Sequence, residues 1–170
     1  VYFPHRVAQA YEISQHVNQS SEKIPAIFAG DLNCPPTELT YRLLLQNCTF
    51  IDSYQASNHE NPGYTISEDI PYIKFHEPER ADYVLFRGGE EINLGLSHSN
   101  LVLNEVPEKF QSKILAYSDH YGVMSSFKVI DAPRTDPNDK FSYYDLKEFS
   151  DAIESGLIQS KVNWMIHLVE

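Results

Sequence analysis

The sequence predicts a mixed α/β (α+β) chain, on three observations. Apolar residues recur at helical spacing over residues 6–19. A short, nearly all-apolar run follows at 24–29 and stops at Gly30-Asp31-Leu32-Asn33. Two later apolar runs each open beside an acidic group, at Asp82 and at Asp119-His120. Helical and extended periods therefore alternate, and polar groups gather at the ends of the extended runs.

The elements follow in order. Val7, Ala10, Tyr11, Ser14 and Val17 share one face of a helix over 6–19. Ser20-Ser21-Glu22-Lys23 breaks it, and Ile24-Pro25-Ala26-Ile27-Phe28-Ala29 reads as a strand buried on both faces. Cys34-Pro35-Pro36 ends that unit, and Leu39, Leu43 and Leu44 mark a second helix over 38–45. Residues 52–79 are rich in Asn, Pro and Glu and read as a long loop region of the kind that lines active sites. Strands are predicted over 80–86, 94–103 and 121–129, the last with Val123, Phe127 and Val129 facing inward. A polar linker covers 131–141. After it, Ser142 and Asp145 form a capping pair for an amphipathic helix carrying Leu146, Phe149, Ile153 and Leu157.

Composition narrows the classes. Of 170 residues, 42% are hydrophobic and 12% aromatic, enough apolar material for a packed core, which excludes a disordered chain. The 24 acidic residues outnumber 13 basic ones for a net charge of -11, which repels phosphate backbones and disfavours non-specific nucleic-acid binding. Cys34 and Cys48 have no zinc-like spacing and read as reduced thiols on the intracellular side. No apolar run reaches the ~18 residues that a membrane span needs. The chain opens at Val1 and stops at Val169-Glu170, and both ends read as cuts through a longer protein.

Three segments carry chemistry. In Gly30-Asp31-Leu32-Asn33, Asp31 and Asn33 stand two apart, on one side of an extended chain. A carboxylate suits a magnesium ion or its waters, and an amide suits a phosphoryl oxygen. The same residues also make turns, so this segment alone leaves both readings open. Asp82 opens an apolar strand, where a carboxylate needs a partner: a catalytic histidine, or an ion pair with a base such as Arg80. In Tyr117-Ser118-Asp119-His120, an imidazole that titrates near neutrality stands at a strand start, as a general base would. Its neighbours separate His120 from His5, His16, His59, His76, His98 and His167, each of which reads as a surface or packed residue.

Together and in this order, the Gly-Asp-Leu-Asn, Arg80-Ala81-Asp82-Tyr83-Val84-Leu85 and Ser118-Asp119-His120 segments resemble the endonuclease/exonuclease/phosphatase superfamily. His5-Arg6-Val7-Ala8-Gln9-Ala10-Tyr11-Glu12 and the stretch from Tyr117 to Met124 are similar to the neutral sphingomyelinases within it. The resemblance covers roughly residues 4–129 and departs at Ala81, where the pattern usually has Ile. It implies the C-terminal half of a two-sheet sandwich flanked by helices, with a catalytic part over 1–130, the linker over 131–141 and a helical tail over 142–170 leading towards a membrane segment.

The activity implied is hydrolysis of sphingomyelin, or a related choline phospholipid in a membrane, to ceramide and phosphocholine. The cofactor implied is Mg2+, with Mn2+ as a substitute. His120 is the base, Asp82 orients it, and Asp31 positions the water or a metal-bound group. Asn33 binds the phosphoryl oxygen, and Asp119 supports the metal side or the His120 loop. Asp31 and Asp119 fall to the metal or its waters. The principal Glu ligand, an Asn and a second His belong to an N-terminal half, so this chain alone is expected to be inactive. The full protein is expected to be intracellular and membrane-associated through C-terminal helices. The alternatives are another hydrolase of the superfamily (a DNA-repair endonuclease, a deadenylase or an inositol phosphatase) or a non-catalytic membrane-associated relative.

Overall fold

The computed structural model describes residues 2–21, 23–70, 73, 77–104, 116–131 and 143–167. The first helix, α1 (Phe3–Ser20), carries Pro4 in its first turn, where the missing N–H costs no helical bond. It buries Val7, Ala10 and Ser14 at the predicted spacing. Strand β1 (Ala26–Asp31) follows, then α2 (Leu39–Cys48), which buries Leu39, Leu43 and Leu44. Thr49, at φ 53°, turns the chain out of α2.

Inside the stretch predicted as loop lie a helical turn, α3 (Ser53–Ser57), directly after the two-residue β2 (Ile51–Asp52), and a bridge between Ile66 and Glu79. Next come β3 (Asp82–Arg87), β4 (Asn93–Val102), β5 (Gly122–Ile130) and α4 (Tyr143–His167).

Among the described residues, two antiparallel sheets result. One has the order β1-β3-β2, and the other pairs β4 with β5. On one face of β3, Tyr83 and Leu85 enter the core formed with α1 and α2. From the same face the Arg87 guanidinium donates to the carbonyls of Val17, Ser21 and Cys48 at 3.0, 3.0 and 2.9 Å. One cation thus caps the negative ends of α1 and α2 together. On the other face, the Phe86 ring meets Phe127 of β5 at 4.9 Å between centroids. Beside that contact, Ser53 and Ser125 share a hydrogen bond at 2.7 Å, Ser99 and Ser125 one at 2.8 Å, and Ser53 donates to the Val84 carbonyl at 2.7 Å. The hydroxyls satisfy one another between the sheets, as buried polar groups must.

Three expectations are corrected. The first strand is not sealed on both faces: it runs from Ala26 to Asp31, and Ile27 is 53% exposed. It lies at the sheet edge, and the second sheet packs on β3 and α3 instead. Val129, predicted inward, is 70% exposed, because it lies beyond the Phe86–Phe127 contact. In α4, the buried stripe is Asp145, Phe149, Ala152, Ile153 and Gly156, so Leu146 and Leu157 point outward. Asp145 sets that rotation by pairing with Arg42 of α2. Ser142 and the linker beyond Asp131 lie outside the described residues. Among the described residues, no helix is long and apolar enough to cross a membrane.

Candidate active site

Asp31 ends β1 and Asp82 begins β3, and the antiparallel register sets them opposite each other. Carboxylates directly opposite repel, so such a pair calls for positive charge between them. His120 supplies part of it from the turn before β5: its Nδ1 lies 2.8 Å from Asp82 Oδ2. An ionised carboxylate can only accept, so Nδ1 carries the proton, and in the neutral ring the lone pair is on Nε2. One donor atom each from Asp31, Asp82 and His120 lies within 4.8 Å of the others. The two carboxylates are hard oxygen donors of the kind that hold a divalent cation, while the imidazole is bonded through Nδ1 to Asp82.

Asn33 joins this group through Asp31. Its backbone N–H donates to Asp31 Oδ1 at 2.7 Å and its side-chain amide to Asp31 Oδ2 at 2.9 Å. Asn33 sits at φ 49°, in the left-handed region, so the segment is a turn and the extended-chain argument for it does not hold. The turn itself brings amide and carboxylate together. The turn and site readings of this segment are therefore compatible.

Arg80 is not the partner of Asp82. It pairs with Asp52 at 2.5 Å, leaving Asp82 to His120. Asp119 is exposed and stands apart from the three-residue group. Its carboxylate accepts from the Ser118 hydroxyl at 3.1 Å, and that hydroxyl accepts from the His120 N–H at 3.2 Å. A cavity of about 640 Å3 opens on Asp31 and Asn33 and is walled by Tyr2, His5, Arg6, Gln9 and Leu32. Arg6 is anchored there by a fork to Glu38, at 3.1 and 2.7 Å.

Sequence reasoning missed Thr65. It is fully buried, and its hydroxyl oxygen accepts from the N–H groups of Ala81 and Asp82 at 3.1 and 3.3 Å. Its carbonyl accepts from the Tyr121 N–H at 2.8 Å. The Ala81 carbonyl in turn accepts from the Leu32 N–H at 2.8 Å. The one available signal was a threonine directly after Pro62-Gly63-Tyr64, in a stretch otherwise read as loop.

The two cysteines are free and buried. Burial first, then Glu38, pushes the Cys34 thiol up to about 12, and burial pushes Cys48 up to about 11. Both are thus poor nucleophiles and poor metal ligands at neutral pH.

No protein-family model matches the chain. A Caenorhabditis elegans protein, provisionally named a neutral sphingomyelinase, is 29% identical over 153 residues, covering 77% of this chain and 34% of that protein. Mouse sphingomyelin phosphodiesterase 2 is 26% identical over 78% of this chain and 33% of its own length. The human protein of that name is 31% identical over 51% of this chain and 23% of its own length. The chain thus spans about a third or less of the curated relatives it matches. An endonuclease/exonuclease/phosphatase crystal structure from Bacteroides vulgatus superposes with a TM-score of 0.50 at 16% identity, over 74% of this chain and 44% of that one. Two packed antiparallel sheets with flanking helices, together with these relatives, give the chain an endonuclease/exonuclease/phosphatase fold and make it a homologue of proteins named neutral sphingomyelinase and sphingomyelin phosphodiesterase 2.

Proposed function

We propose that this chain carries the general-base side of a magnesium-dependent phosphodiesterase that splits sphingomyelin, or a related choline phospholipid at a membrane, into ceramide and phosphocholine. The observation that carries the proposal is the 2.8 Å bond from His120 to Asp82, made where Asp31 ends the neighbouring strand. Residues far apart in sequence meet at strand ends: the β1–β3 register sets Asp31 opposite Asp82, and the turn before β5 brings in His120.

His120 Nε2 takes a proton from the attacking water. The positive charge that forms on the ring is stabilised by Asp82 at Nδ1, which also fixes the tautomer. Asn33 uses one amide N–H to hold Asp31 and has a second for the phosphoryl oxygen that gains charge. Asp31 holds the metal or its waters, and Asp119 at the rim supports that side and the His120 turn. When bound, the cation neutralises the phosphate and the leaving alkoxide. The net charge of -11 favours a lipid phosphodiester over a nucleic-acid backbone.

The test is phosphocholine release from sphingomyelin vesicles by the intact protein, run beside nicking of plasmid DNA. Magnesium-dependent release without nicking supports the proposal. Nicking without release would transfer the same residues to a nuclease.

A further inference from the structure

We infer that Thr65 is the positioning residue of the Asp82–His120 pair, and the inference rests on the function proposed above for that pair. The two halves of the pair come from separate elements: Asp82 begins β3, and His120 lies two residues before β5. Nothing in either strand's own ladder sets their separation, because β3 belongs to one sheet and β5 to the other. Thr65 touches both. Its hydroxyl oxygen accepts from the backbone N–H of Asp82 and of Ala81, and its carbonyl holds the N–H of Tyr121, the residue after His120.

Its reach extends further. The Ala81 peptide that Thr65 fixes through the N–H presents its carbonyl to Leu32, between Asp31 and Asn33. The three site segments therefore meet at this threonine. Thr65 is itself held from behind, its N–H bonded to the Glu79 carbonyl at 2.9 Å beside the Ile66–Glu79 bridge. The side chain is completely buried, so no bulk water can replace its hydroxyl. Removing that oxygen leaves two N–H groups without an acceptor, and the start of β3 must then shift to find others. A general base held loosely by about 1 Å loses up to about 100-fold in rate without loss of substrate binding.

The experiment compares Thr65→Val, which keeps shape and removes the oxygen, with Thr65→Ser, which keeps the oxygen and removes a methyl. Two readouts are taken on the intact protein: kcat and KM for sphingomyelin hydrolysis, and the proton NMR signal of the His120 Nδ1–H with amide exchange at Ala81 and Asp82. The expected result for Thr65→Val is a kcat lower by about 10- to 100-fold at unchanged KM. Its Nδ1–H signal is broadened or lost, and exchange at both amides is faster. Thr65→Ser is expected to restore kcat and the Nδ1–H signal. A folded Thr65→Val protein with wild-type kcat and an intact Nδ1–H signal overturns the inference. So does a Thr65→Ser protein as impaired as Thr65→Val, which would assign the effect to packing of the methyl. If the wild type hydrolyses no sphingomyelin, the proposed substrate fails, and the Nδ1–H and amide signals still decide the role of Thr65.

Discussion

Two pairs of a carboxylate with a nitrogen base lie at the same end of β3, two residues apart, and they are built in opposite ways. Arg80 and Asp52 are sealed: their side chains are 5% and 2% exposed. The guanidinium stacks over Tyr83 at 4.8 Å, with Tyr41 and Tyr54 each at 5.9 Å. The Tyr41 hydroxyl donates to Asp52 at 2.8 Å, and the Gln55 N–H closes the remaining carboxylate oxygen at 3.0 Å. His120 and Asp82 are open, 24% and 22% exposed, with one ring nitrogen left over. The sealed pair is closed from within the fold, with Arg80 Nε buried and making no hydrogen bond. The open pair leaves one ring nitrogen outside the pair. Burial, more than residue type, separates the two pairs here.

The sharpest way to break the comparison is to remove the open pair. His120→Ala is expected to lower hydrolysis by about 10²- to 10⁴-fold, the usual worth of a general base. Asp82→Asn is expected to fall in the same range, because an amide no longer enforces the tautomer. Both proteins should melt within a few degrees of wild type, since a solvent-accessible pair carries little of the fold. Near-normal turnover by the His120→Ala protein would falsify the role given to this pair.

The sealed pair should respond the other way. Asp52→Ala leaves Arg80 buried without its counter-charge, a change that costs about 3–5 kcal/mol. Thermal or denaturant unfolding reads that loss directly. Activity per folded molecule should stay near wild type. A stable Asp52→Ala protein would show that water reaches Arg80, and the distinction between the two pairs would fail.

That distinction was only half visible in the sequence. The segments around Asp31, Asp82 and His120 stand out because each interrupts or abuts an apolar run, and polarity at a strand end is a local signal. The partner of Asp82 is not local. Arg80 was as good a choice by spacing, and only Asp52, from a distant and irregular stretch, removes it. Residues 52–79 hid most of what sequence reasoning missed. The five residues of α3 are too few to show a period, and the single bridge from Ile66 to Glu79 has no alternation to read. Thr65 was silent for the same reason, since its worth lies in backbone groups it bonds across the chain. The helices were legible from spacing, but the rotation of α4 was not. It follows from the Asp145–Arg42 pair and from Gly156, where an added Cβ would stand 2.7 Å from Pro4.

The sealed side also predicts how stability changes in alkali. Cys34, whose carbonyl accepts from the Tyr83 hydroxyl, has its thiol raised from 9.0 to about 12 in the folded chain. Its folded value lies above the unfolded one, so the native state holds the proton that the unfolded state releases. The contribution is fully present below pH 9 and is lost as pH rises from about 9 towards 12. Replacing Cys34 by Ala should flatten that decline in urea melts taken across the window. An unchanged slope would mean that the thiol ionises as freely in the fold as outside it.

The smallest effect belongs to a third pair, intermediate between the other two. Arg6 forks onto Glu38 with side chains 24% and 17% exposed, and Glu38 also accepts from the Thr40 hydroxyl at 2.7 Å. The side-chain hydrogen bond to Glu38 raises the Arg6 guanidinium above its ordinary value, so Arg6 keeps its charge across the working range. Solvent screens such a pair, and its coupling should be no more than about 1 kcal/mol. A double-mutant cycle with Arg6→Met and Glu38→Gln measures that coupling with unfolding as the readout. Because Arg6 also walls the cavity that opens on Asp31 and Asn33, the same variants separate stability from binding. If KM rises in Arg6→Met and in Glu38→Gln alike, the fork holds the cavity wall in place. If it rises in Arg6→Met alone, the guanidinium itself meets the substrate, and this pair joins His120–Asp82 on the chemical side of the comparison.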